Sequence, residues 1–103
     1  DNAIFNMSSL TARAMPSETL LSSAYPNPFN PSTNITFGID QDSHVKAVIY
    51  DITGREISVL ANENYLSGYH NLIWNADRQS SGLYFLTIHS NGITETQKLM
   101  LLI

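Results

Sequence analysis

The chain has 103 residues, enough for one domain around a single core, and 43% of them are hydrophobic, which argues against disorder. A net charge of -4 with only five scattered Lys and Arg excludes a phosphate-backbone binder and argues against nucleic-acid partners. No cysteine is present, so disulfides, thiolate nucleophiles and Cys-ligated zinc are excluded together.

The sequence begins Asp1-Asn2-Ala3, with neither an initiator Met nor a signal peptide, and reads as a piece of a larger protein. Apolar residues up to about position 19 (Ile4, Phe5, Met7, Leu10, Met15) follow no steady period. We read residues 1–23 as a linker or the end of an upstream domain, and residues 24–103 as the domain proper. A short helix over Ser8 to Met15 is possible, ended by Pro16.

Three of the four prolines fall within Tyr25-Pro26-Asn27-Pro28-Phe29-Asn30-Pro31. Proline locks φ and lacks a donor, so this segment is neither a helix interior nor a central strand. It is expected to be stiff and kinked, with Tyr25 and Phe29 plugging one end of the core and the prolines keeping that edge from pairing further.

Period-two alternation follows. Ile35, Phe37 and Ile39 predict one strand, and Val45, Ala47 and Ile49 a second that runs to about Asp51. Asp40-Gln41-Asp42-Ser43 is the turn between them. Gly54 marks a tight connection that needs positive φ. Ile57 and Val59 predict a third strand, closed by a loop that Asn62-Glu63-Asn64 and Ser67-Gly68 bound. His70, Leu72 and Trp74 share a face, with Trp74 the expected core anchor. Asp77 to Gly82 is a polar loop. Tyr84, Leu86 and Ile88 share a face of the next strand, and Asn91-Gly92 is a hairpin turn. The last strand runs from about Ile93, with Leu99, Leu101 and Ile103 on one face. Its apolar run Leu99–Ile103 is far too short to span a membrane. About seven short strands and no convincing helix describe an all-β, immunoglobulin-like antiparallel sandwich without the cysteine pair of antibody domains.

Candidate chemistry is sparse. His44, His70 and His89 have no partners at metal-ligand spacing, and a half-buried structural role is expected for His70. Asp40 and Asp42 are spaced as calcium-loop oxygens often are, but Ser43 and His44 do not continue an EF-hand. They read as turn carboxylates, with calcium the lesser reading and no cofactor expected. Tyr65 and Tyr69 could form a sugar-stacking platform, or simply pack. No phosphate loop, nucleophile elbow or carboxylate pair is present, and no enzyme is expected.

Five strings, in order, carry a family resemblance. Tyr25-Pro26-Asn27-Pro28-Phe29-Asn30-Pro31-Ser32-Thr33 resembles the opening motif of the type A C-terminal sorting domains of the bacterial type IX secretion system. Ile49-Tyr50-Asp51-Ile52-Thr53-Gly54-Arg55-Glu56 is similar to that family's central "VYD-x-x-G-R" segment. Ser67-Gly68-Tyr69-His70 with Trp74 resembles its "G-x-H-x-x-x-W" strand. Ser81-Gly82-Leu83-Tyr84-Phe85 is similar to "SGxYF", and Lys98-Leu99-Met100-Leu101-Leu102 to the closing "K-x-x-L" run. The immunoglobulin-like domain of flagellar hook-capping proteins shares these strings as a fold analogue. Many members carry a basic residue just past the closing run, whereas this chain stops at Ile103.

The resemblance implies an address carried by a larger protein. Its partners would be the type IX machinery and a covalently attached upstream cargo. Its place would be outside the cell or on the outer-membrane surface of a Gram-negative bacterium. Lys98, Leu99, Met100, Leu101, Leu102 and Ile103 form the strand expected to be read, through free edge groups. The alternative is an accessory spacer or glycan-binding module of a polysaccharide-degrading enzyme.

Overall fold

A computed structural model describes residues 20–103, and the expected helix over Ser8 to Met15 lies outside them. Seven strands follow one another: β1 Leu20–Tyr25, β2 Ser32–Ile39, β3 Ser43–Asp51, β4 Glu56–Tyr65, β5 Gly68–Asn75, β6 Gly82–Ser90 and β7 Ile93–Leu101. All pair antiparallel, in a three-stranded sheet of order β1-β2-β5 and a four-stranded sheet of order β4-β3-β6-β7. This is the expected all-β, immunoglobulin-like sandwich.

The alternation that predicts the strands also builds the core. Ile35, Phe37, Ile39, Val45, Ala47, Ile49, Leu86, Ile88, Leu99 and Leu101 are all at most 1% exposed, from the inner faces of both sheets. Aromatic groups close the two ends. Trp74 packs 5.5 Å from Phe29 and 5.2 Å from Tyr84 at one end. At the other, Phe37, Tyr65 and His70 form a triangle with centroids 4.8 to 5.3 Å apart. Trp74 is the core anchor its sequence position predicts.

Four details differ from expectation. The sheet begins at Leu20, inside the stretch read as linker, because β1 pairs with β2 from Leu20↔Ile39 to Tyr25↔Asn34. That register sets Ala24 beside buried Ile35 and turns Tyr25 outward, so Phe29 plugs the core alone while Tyr25 is 80% exposed. Strand β4 runs through Asn62-Glu63-Asn64 to Tyr65, where a loop was expected. It is also irregular: Ala47↔Ala61 is followed by Val48↔Val59, and Ile49↔Ser58 by Tyr50↔Glu56. Leu60 and Ile57 are the extra residues of two bulges, and the shift leaves Val59 on the outer face, exposed. Finally, Ile103 lies past the end of β7 and is exposed, off the face it was expected to share with Leu99 and Leu101.

The turns follow their residues. Asn91 and Gly92 both have positive φ (54° and 79°), as a two-residue hairpin of matching twist requires.

Candidate functional site: the motif end of the sandwich

One end of the sandwich collects most of the motif residues. Here β1, β3, β5 and β7 finish and β2, β4 and β6 begin. The proline segment lies across it, with all three X-Pro bonds cis.

The segment does pair, against expectation, and it does so through the residues between its prolines. The Asn27 side-chain amide donates to the Lys98 carbonyl at 2.7 Å, and its Oδ1 accepts the Met100 N–H at 3.0 Å. The Phe29 N–H donates to the Met100 carbonyl at 2.9 Å, and the Leu102 N–H donates to the Phe29 carbonyl at 3.0 Å. Phe29 thereby forms a parallel bridge with Leu101. Proline, with no N–H, could make only the acceptor half of such bonds. The first and last motifs of the chain are therefore one stitched unit.

This changes what the closing strand offers. From the Lys98 carbonyl to the Leu102 N–H the strand does not present a free edge, because Asn27 and Phe29 occupy the outward groups there. By ladder alternation the outward groups left open are those toward Thr94 and Thr96. Beside them Ser22 Oγ donates to Glu95 Oε1 at 3.2 Å. From Leu99 to Leu102 the side chains split by parity, and Ile103, past the end of the strand, is exposed as well. Leu99 and Leu101 are fully buried, while Met100 and Leu102 are exposed. Leu102 also closes a cleft of about 330 Å³ lined by Pro26, Pro28, Phe29 and Asn30.

The other motif residues support this end. The Ile103 N–H donates to Ser81 Oγ at 2.9 Å, which fixes the chain beyond β7. The Tyr84 hydroxyl donates to the Ser80 carbonyl at 2.7 Å while its ring stacks edge-on against Trp74. This is the arrangement of a tyrosine corner. Gly82, with φ of 149°, opens β6. Thr33, almost fully buried, donates to the Pro26 carbonyl at 2.8 Å, and the Ala76 N–H donates to that of Pro31 at 2.8 Å.

Asp51 organises the β3–β4 turn at the same end. Its Oδ1 accepts from the Thr53 hydroxyl at 2.6 Å, the Thr53 N–H at 2.9 Å and the Arg55 N–H at 3.0 Å. Arg55 Nε lies 3.3 Å from Asp51 Oδ2, and with the Arg55 side chain exposed the pair is of small energetic value. The Thr53 hydroxyl first, with the two backbone N–H groups and Arg55, holds the Asp51 carboxyl below its ordinary value against the opposing effect of burial. Gly54 takes the positive φ of 86° that the turn requires. The string Asp51–Arg55 is thus turn chemistry, with Ile52 left exposed at the tip.

The remaining candidates sit elsewhere. The Nε2 of His70 bonds the Leu66 carbonyl at 2.7 Å with the ring half-buried on Phe37, the structural role expected of it. His44 lies between Asn62 Oδ1 (2.7 Å) and Asn64 Oδ1 (3.1 Å), and His89 beside the Thr94 hydroxyl (2.6 Å). Asp42 accepts the Ser67 N–H at 2.8 Å, while Asp40 has an unpartnered Oδ1. Among the described residues no group of three or more His, Asp or Glu could hold a metal ion. Tyr65 packs edge-on against core Phe37 and donates to Glu63 at 3.2 Å, and burial first, then Glu63, raises its pKa. Tyr69 stands on the outer face of the other sheet, so the two tyrosines form no common platform.

Residues 23–102 match the family described as "Secretion system C-terminal sorting domain". The chain belongs to that family. No curated protein and no solved structure matches it. As a sorting domain it carries a type IX secretion signal, which implies recognition by the secretion machinery and attachment to a cargo that leaves the cell. The sorting-domain family is not a catalytic one. Among the described residues no helix is long and apolar enough to cross a membrane.

Sequence reasoning placed the motif residues but missed how they join. Asn27 and Ser81 entered only as letters in motifs. Their bonds to Met100 and Ile103 span 73 and 22 residues, and no local pattern encodes a side chain reaching a distant backbone.

Proposed function

We propose that the stitched end of this sorting domain is the element the type IX machinery reads, and that it carries an upstream cargo domain to the cell surface. The reading is carried by one observation: Asn27 and Phe29 hold the backbone from Lys98 to Leu102 with four hydrogen bonds. The closing run is thereby presented in a fixed conformation, with Met100, Leu102 and Ile103 facing out and Leu99 and Leu101 anchored in the core. A preordered apolar strip loses little conformational freedom on binding, which favours recognition. Docking of a partner strand against this half of the edge would first require the proline segment to move away.

The test is a fusion of the full chain to a periplasmic reporter in a host with a working type IX system. Export is expected for the fusion and is expected to disappear when Lys98–Ile103 is deleted. Undiminished export after that deletion would sink the proposal.

A further inference from the structure

The three-stranded sheet contains no charged residue at all, in a chain with 14 Lys, Arg, Asp and Glu: β1, β2 and β5 read LLSSAY, STNITFGI and GYHNLIWN. Its inner face needs none. Its outer face is open to solvent, where charges are normally about a quarter to a third of the residues. That face is built in cross-strand rows. Tyr25, Asn34 and Ile73 form one, and Ser23, Thr36 and Asn71 the next. Tyr69 lies beside Gly38 in a third.

Two aromatic side chains stand at opposite corners, Tyr25 at 80% exposure and Tyr69 at 42%. They are four residues apart along the strands and two strands apart, or about 13 Å by 10 Å. The row between them, Ser23, Thr36 and Asn71, carries only hydroxyls and an amide, and Ile73, 70% exposed, stands at a third corner. The Thr36 hydroxyl donates to Asn71 Oδ1 at 2.7 Å, which fixes that amide and leaves its two N–H donors for a ligand. A shallow cleft of about 200 Å³ runs beside Tyr69 along Ser22, Ser23 and Thr36.

We infer that this face binds a neutral polysaccharide chain. Sugar hydroxyls both donate and accept, and they match amides and hydroxyls without a charge to desolvate. The apolar faces of sugar rings stack on exposed tyrosine rings, large contact surfaces with few rotatable bonds. An anionic polymer would find no cation among the described residues of this face. The face meets the stitched end at Tyr25, the last residue of β1, while Tyr69 lies toward the other end, so the inference is tested on polysaccharide binding itself rather than on export.

The experiment is affinity electrophoresis of the full chain through native gels containing hydroxyethylcellulose, glucomannan or galactomannan. Retardation by at least one of them is expected. Tyr25→Ala and Tyr69→Ala should each weaken it about five- to tenfold. Tyr69→Phe should keep most of it, and Lys46→Ala on the other sheet should change nothing. Both tyrosines are exposed, and thermal melts of each variant verify folding. Three outcomes would overturn the inference: no retardation in any of the gels, retardation indifferent to both alanine variants, or sedimentation showing that the two tyrosines serve self-association instead.

Discussion

The side chain of Asn27 reaches across 73 positions to accept the N–H of Met100 at 3.0 Å, and with its amide it holds the Lys98 carbonyl at 2.7 Å. A single asparagine thus substitutes for a neighbouring strand along the outer half of β7. Asparagine suits the task because one side chain both donates and accepts in nearly the geometry of a peptide group.

Asn27→Ala should therefore destabilise the domain by about 1 to 2 kcal/mol, since two hydrogen bonds are lost at a site water can reach. Urea denaturation measures this as a lower midpoint at unchanged slope. Phe29 would still hold Met100 and Leu102, so the fold should survive.

The parity of the closing strand can be tested by neighbouring substitutions. Leu99→Ala, at a fully buried position, should cost about 2 to 5 kcal/mol. Met100→Ala, at 37% exposure, should cost under about 1 kcal/mol. Equal effects in thermal unfolding would mean that the two side chains do not divide between core and surface as described.

Much of this fold is legible in the sequence, and the reason is physical. In β2, β3, β5 and β6 one face is buried and the other largely wet, with Val48 of β3 the buried exception, so alternation survives in the letters. It fails in β1, where Leu20-Leu21-Ser22-Ser23-Ala24-Tyr25 has no period and the register comes from β2. It fails again in β4, whose two bulges break the period that would have sent Val59 inward. Motif letters located the stitched end, but the stitch itself depends on tertiary contact and left no local signal.

Gly54 offers a clean case of backbone cost. A Cβ there would meet nothing within 4 Å, so the whole penalty of Gly54→Ala comes from its φ of 86°. We expect a loss of about 1 to 2 kcal/mol, read from equilibrium unfolding. Gly92→Ala, with φ of 79° and open space, should behave alike.

Asp51 predicts a pH dependence of definite sign. Its folded pKa lies below the ordinary 3.8, so its contribution is complete above that value and fades as pH falls through the lower folded one. Asp51→Asn should lower Tm at pH 7 and at pH 5 by the same amount. The gap from the parent should narrow below pH of about 4. A gap that widens in acid would contradict the sign.

The most direct test of the stitched end as the export address uses surface positions that the core does not need. Met100→Ser combined with Leu102→Ser alters two exposed side chains and leaves Leu99, Leu101 and the Asn27 bonds in place. The measurement is the fraction of a full-chain reporter fusion outside the cell, alongside protease resistance of the retained fusion as a check of folding. We predict a fall of at least about tenfold in export, equivalent to roughly 1.4 kcal/mol of lost recognition, with the domain still protease-resistant. Parental export from a folded double variant would contradict the claim that this end of the sandwich is what the machinery reads.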